Sequence, residues 1–142
     1  MLNYRTDKRG LSLLEAVIAM AILSIGLLII IRIFPLTAKM SKTAEQSTIA
    51  ANLGQAKIEE MFSLGYDNIA IGTLESKHRL GSTADNPFYQ YQRQTVTEYV
   101  DGDLNYSATE TGLKKISVTV YWISQTTGLE RNLPVNVLIS QK

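Results

Sequence analysis

Lys8-Arg9-Gly10-Leu11-Ser12-Leu13-Leu14-Glu15 opens a run, Leu11 to Ile31, that only Ser12, Glu15, Ser24 and Gly26 interrupt before Arg32 ends it. A helix rises about 1.5 Å per residue, so roughly 20 residues cross a hydrocarbon core of about 30 Å. The run is long enough to span a bilayer. It is apolar on every side, which disfavours the competing reading of a buried core helix in a soluble protein. A secretory signal peptide fits less well. Its apolar region is usually about 7–15 residues long and ends at an A-x-A-like site, whereas here Phe34-Pro35-Leu36 follows a longer run. The leader Met1 to Gly10 carries Arg5, Lys8 and Arg9 against Asp7. Positive charge ahead of the first apolar helix favours a cytoplasmic N-terminus. Arg32, Lys39 and Lys42 bias the other way from the far side.

Glu15 is the anomaly of the run. An acid in a membrane segment is costly and marks a functional site by default. Two explanations stand side by side. Glu15 lies at headgroup level, where the positive end of the helix dipole favours it, or it meets a cation brought by another chain. The next base along the helix is Arg32, about 25 Å away. A cationic partner therefore comes from the leader or from outside the chain.

The leader, Gly10, Leu11, Ser12, Leu13 and Glu15 together resemble the type IV prepilin signal: a short basic leader ending in glycine, a hydrophobic residue, then Thr/Ser-Leu-x-Glu opening a long apolar helix. The resemblance covers roughly the first 30 residues. It implies that a membrane aspartyl prepilin peptidase cuts between Gly10 and Leu11 and then methylates the new amine of Leu11. Glycine suits the position before a cut, because without a Cβ the backbone can be approached closely. The resemblance also implies that Glu15 pairs with the Leu11 amine of a neighbouring subunit in a filament core. Such a buried pair sets register and partner choice more than affinity. The chain departs from the common pattern twice. It has Leu11 where many members begin with Phe. Its first proline is Pro35, beyond the apolar run, and Gly26 is a softer weak point within it.

From Leu36 to Leu64 the sequence is rich in helix formers, and Gly65 suits a C-cap. One long helix is expected from residue 11 to about 64, with Pro35 as the place where it can bend. Ile49, Leu53 and Ala56 share one of its faces, and Ala51, Ile58 and Phe62 another. Two faces fit either a helix packed on both its own head and its neighbours, or one well buried in its own domain. Tyr66 to Pro87 reads as an irregular connection in which Lys77-His78-Arg79 is a solvated triplet. Strands follow. Phe88 to Val100 places Tyr89, Tyr91, Arg93, Thr95, Thr97 and Tyr99 on one face, and Asp101-Gly102-Asp103 turns the chain. Ile116, Val118, Val120 and Trp122 alternate with polar residues. After a turn at Thr126-Thr127-Gly128, Leu133, Val135, Val137 and Ile139 share a face, with Pro134 marking an edge or bulged position. So small a sheet needs a cover. The expected fold is α+β: a long N-terminal helix packed on an antiparallel sheet of three or four strands, which is also the pilin fold. Its parts are a leader (1–10), a membrane or filament-core half-helix (11–34), a second half-helix (35–64) and a head (65–142).

The remaining composition narrows function. The 142 residues hold no cysteine and one histidine, His78, with a net charge of +1. Disulfide frameworks and Cys-ligated metal sites are excluded, and a Ser-His-Asp triad is disfavoured. No basic field for nucleic acid is present. Asp101, Asp103 and Glu110 lack the EF-hand spacing and read as solvated turn residues. Tyr89, Tyr91, Tyr99 and Tyr121 fit either a contact surface or sheet packing. The chain is expected to be no enzyme and to need no cofactor or metal. The expected function is structural: a minor pilin of a type IV pilus-like filament. The Val-x-Val-x-Trp pattern at Val118 to Trp122 resembles minor pilins of the pilus-modification type. It also resembles minor pseudopilins of type II secretion, the alternative reading. An unprocessed, single-pass anchored binding module is the reading from another class. Expected partners are the prepilin peptidase, other pilin or pseudopilin subunits, an inner-membrane assembly platform and the lipid bilayer, with no nucleic acid. The expected location is the inner membrane, with the head outside the cytoplasm, and then the filament.

Overall fold

The computed structural model describes residues 13–141. The chain divides into two compact units, Met1–Met40 and Ser41–Lys142. Helix α1 (Leu13–Leu64) is one continuous element of 52 residues. It continues through Pro35, whose missing N–H leaves the carbonyl of Ile31 without its helical donor. In the first unit the apolar side chains stand exposed all round, from Leu13 to Met40. The most apolar 18-residue window of α1 has none of its residues buried.

The second unit is a head with its own core. Its sheet comprises β1 (Gly72–Arg79), β2 (Tyr91–Val100), β3 (Tyr106–Ser107), β4 (Leu113–Ile123) and β5 (Glu130–Ser140). The strand order is β1-β2-β4-β5, all antiparallel, with the two-residue β3 alongside the end of β2. The fold is α+β, and the sheet has one short strand more than expected.

β4 alternates without a break, burying Lys114, Ile116, Val118, Val120 and Trp122 and half-exposing the residues between. On β5, which pairs with β4 alone, Leu133, Val135, Val137 and Ile139 turn to the same inner side. Pro134 sits on this edge strand opposite Thr119, where a missing ladder donor is tolerated. The head's share of α1 covers the inner face along one stripe, Gln46, Ala50, Gly54, Ile58 and Met61. Ile58, Met61, Ile69, Ile116 and Val118 form one core cluster, and Ala50, Tyr91, Val120 and Trp122 a second. Each large aliphatic side chain so buried contributes about 1.5–3 kcal/mol relative to exposure.

Three expectations need correction. The residues of the two apolar faces are distributed differently: Ile58 lies in the buried stripe and Ile49 and Leu53 flank it, while Ala56 and Phe62 are exposed, so α1 packs on its own head along one side. Residues 72–79 form strand β1, so the long connection is shorter than the sequence implied and Lys77-His78-Arg79 lies on a strand. β2 begins at Tyr91, because residues 88–90 form a turn in which the Phe88 carbonyl accepts from the Tyr91 N–H at 3.0 Å.

Candidate functional site

Glu15 lies in the first turn of α1, where the helix dipole favours an acid. Among the described residues it makes no ion pair. Around and beyond it, Leu14, Val17, Ile18, Ile22 and Ile25 are exposed. An apolar helix of this length with no cover of its own needs lipid or other helices around it. Gly10 and Leu11, the expected cleavage and methylation positions, lie outside the described residues. Within the run, the Ser24 hydroxyl donates to the Met20 carbonyl at 2.7 Å, which satisfies a polar group inside an apolar stretch.

The head is held to its part of α1 by three polar latches that the sequence reading missed. Gln46 is buried; its Nε2 donates to the Ile123 carbonyl at 3.2 Å and its Oε1 accepts from the Gln125 N–H at 3.3 Å. Lys114 is 4 % exposed, and its Nζ donates to the carbonyls of Tyr66 at 2.7 Å and Ile69 at 2.9 Å. The same ammonium lies 4.1 Å from the centre of the Tyr66 ring. This fixes the segment that leaves the helix after Gly65, whose φ of 75° and ψ of 161° lie in a region that glycine alone enters readily, rather than in the left-handed helical form of a usual C-cap. Burial first, and then the hydrogen bond to Glu110, raise the Tyr66 hydroxyl above its ordinary 10.0. Tyr91 is raised by burial and next by the charge of Glu45.

The third latch ties the edge strand down. Arg93 grips Glu75 with two hydrogen bonds of 2.9 Å each, and Thr95 Oγ1 donates to Glu75 Oε2 at 2.8 Å. Arg93 Nη1 also donates to the Leu53 carbonyl of α1 at 3.4 Å, and His78 Nε2 lies 3.3 Å from Glu75 Oε1. Burial alone would raise the Glu75 carboxyl. The hydrogen bonds from Arg93 and Thr95, with the charges of Arg93 and Lys57, outweigh it and hold the group below its ordinary value of 4.5. Gly54 adds a steric fit, since a Cβ there would lie 2.9 Å from Val135 Cγ2. Glycine is what lets α1 approach β5 this closely.

The tyrosines do not share one surface. Tyr91 is buried against Trp122, with ring centres 6.4 Å apart. Tyr121 points to the opposite side of the sheet, where Lys77 Nζ stands 4.1 Å over its ring and pairs with Glu130 at 2.6 Å. Tyr89 packs under Arg79. The acids of the turn serve the backbone: Asp101 Oδ1 accepts from the N–H groups of Asp103 at 3.0 Å and Asn105 at 2.9 Å. Glu110 accepts from the Tyr66 hydroxyl at 3.2 Å. Among the described residues no group of three or more His, Asp or Glu side chains is placed to hold a metal ion.

An exposed apolar helix opening on an acid, followed by an α+β head, is the setting in which the N-terminal sequence acquires meaning. Residues 5–31 match the family described as the prokaryotic N-terminal methylation motif. The match spans Gly10, Leu11 and Glu15 and ends where the apolar run ends. With the long apolar helix, it supports a pilin-like N-terminus of prepilin type. No curated protein and no solved structure matches the chain.

Proposed function

We propose that this protein is a minor pilin of a type IV pilus-like filament. Its leader is removed between Gly10 and Leu11 and the new Leu11 amine is methylated. The observation that carries the reading is the methylation motif over residues 5–31, joined to an α1 whose first unit is apolar and exposed on every side. Before assembly, α1 anchors the chain in the inner membrane with the head outside the cytoplasm. During assembly, an inner-membrane platform transfers the helix from lipid to the apolar faces of neighbouring subunits. Glu15 takes the Leu11 amine of the adjacent subunit, a cation nearer than Arg32, the next base along its own helix. The absence of cysteine favours a minor subunit, since the C-terminal disulfide that strengthens many abundant pilins cannot form here.

The deciding experiment recovers the protein from its native membrane and determines its first residue. A chain beginning at Leu11, with or without one methyl group, is the expected result. An intact Met1 terminus, in cells that process their other prepilins, removes the filament reading. The role of Glu15 is tested apart from this. Glu15→Ala should insert and fold normally, yet its incorporation into filaments should fall at least tenfold. Normal incorporation would discard the pairing.

A further inference from the structure

Asn105-Tyr106-Ser107 is the one Asn-x-Ser/Thr triplet, with x other than proline, in the 142 residues. So short a triplet arises readily by chance, and its placement decides whether it can be used. Asn-x-Ser/Thr is an acceptor for glycan transfer to the asparagine side chain only where it lies on an accessible surface outside the cytoplasm. Asn105 is exposed, at the point where the turn after β2 enters β3. Its backbone is pinned: the N–H donates to Asp101 Oδ1 at 2.9 Å, and the carbonyl accepts from the Asp101 N–H at 3.0 Å. Its carboxamide makes no hydrogen bond to the described residues. The turn itself is tight, with Leu104 at φ 65°. Leu104 and Tyr106, on either side of Asn105, are 54 % and 70 % exposed. The acceptor side chain therefore stands clear of the head.

We propose that Asn105 is a site of N-linked glycosylation, taking an oligosaccharide from a lipid diphosphate-linked donor. The carboxamide nitrogen attacks the anomeric carbon of the first sugar. The C–N bond forms as the bond from that carbon to the diphosphate oxygen breaks. The lipid diphosphate leaves, and the nitrogen loses one proton to a base of the transferase. The transferase also needs the Ser107 hydroxyl, which donates here to the Thr109 carbonyl at 2.8 Å. The same hydroxyl oxygen accepts from the Thr109 N–H at 3.2 Å, so the bonds to be exchanged are confined to this one local turn. β3 is two residues long and pairs only with the end of β2. Such a short edge element opens locally at little cost, so residues 103–107 can enter an enzyme groove without unfolding the core. Asp103, two residues ahead of the asparagine, adds a carboxylate that a cationic groove can hold.

The proposal rests on the head lying outside the cytoplasm, as the pilin reading requires. Its test uses the full chain purified from its native cells. The tryptic peptide 94–114, which ends at Lys114, is mapped by tandem mass spectrometry, and the first residue of the same sample is determined. The expected result is a glycan mass on Asn105. That mass should be absent from Asn105→Gln and Ser107→Ala but retained in Ser107→Thr. An unmodified peptide from a chain that begins at Leu11 overturns the glycosylation and leaves the pilin reading standing. A glycan on Asn105 in a chain that keeps Met1 supports the glycosylation and overturns the pilin reading. A sugar that survives Asn105→Gln, carried by Ser107 or Thr109, overturns the assignment to Asn105.

Discussion

Lys114→Met is the sharpest probe of how the head is held together. Methionine keeps most of the stem volume and removes only the ammonium. The carbonyls of Tyr66 and Ile69 then lose donors at 2.7 and 2.9 Å. Both residues are buried, at 7 % and 2 % exposure, so water replaces those donors poorly. A hydrogen bond to a charged group contributes about 1.5–3 kcal/mol net. Two such bonds come to about 3–6 kcal/mol, less what is regained by no longer desolvating a cation. The expected destabilisation is therefore about 2–4 kcal/mol. At roughly 4–8 °C per kcal/mol for a domain of about 100 residues, the melting temperature should fall by at least about 8 °C. Trp122 is the sole tryptophan and is 4 % exposed. Its fluorescence in the detergent-solubilised full chain therefore reports the head core directly. A melting temperature within about 2 °C of the parent would refute the claim that this ammonium clamps the helix exit.

Glu75 gives a pH signature. Its folded carboxyl lies below the ordinary 4.5, so its stabilisation is fully present above the unfolded value and is lost as pH falls through the folded one. Glu75→Gln should melt lower than the parent at pH 7, and the gap should narrow steadily as pH falls below the ordinary value of 4.5. A constant gap would count against the Arg93 pairing. Gly54→Leu should cost about 1–3 kcal/mol by overpacking against Val135, read as an early Trp122 transition; a stabilised variant would contradict the close approach. Gln46→Ala frees the Ile123 carbonyl and the Gln125 N–H and should cost about 1–2 kcal/mol. Faster hydrogen exchange confined to the turn between β4 and β5 and to the facing part of α1 is its second readout.

What the sequence disclosed, and what it hid, follows from which interactions leave a period. β4 and β5 were legible because Ile116 to Trp122 and Leu133 to Ile139 alternate at period two over a single buried face. α1 was legible as an apolar run followed by mostly good helix formers and closed by Gly65. β1 was not, because its one apolar residue, Leu74, is exposed and its anchor is a carboxylate, Glu75, held by Arg93 from the next strand. Two register shifts against β2 blur what period remains. Lys114 did leave a signal: it sits at the inward parity of β4, two residues before Ile116, and a lysine at a core position demands buried acceptors. Gly54 left one too, as a glycine amid good helix formers, which costs about 1 kcal/mol unless a close contact repays it. At the N-terminus the order is reversed. Gly10, Leu11 and Glu15 were read through the resemblance of their pattern to the prepilin signal, because what they are expected to contact, a peptidase and a neighbouring subunit, lies outside this chain.

The two units of the chain answer to different solvents, and this makes the functional and structural claims separable. Residues 13–34 have no apolar partner among the described residues, so no loss of head packing bears on how well they suit a bilayer. Residues 41–64 bury one stripe against the sheet, so their integrity is a matter of the core. Glu15→Ala should therefore leave the Trp122 melting curve of the head unchanged while it blocks assembly. Lys114→Met should lower that curve while the leader is still removed and Leu11 is still the first residue. If Glu15→Ala instead lowered the melting curve, the acid would be supporting the fold, and its place in the first turn of an exposed apolar helix would need another explanation. If Lys114→Met prevented leader removal, the peptidase would have to recognise a folded head rather than the leader and the first turns of the helix. Each outcome moves a named residue from one account to the other, which a single unit with one continuous core would not permit.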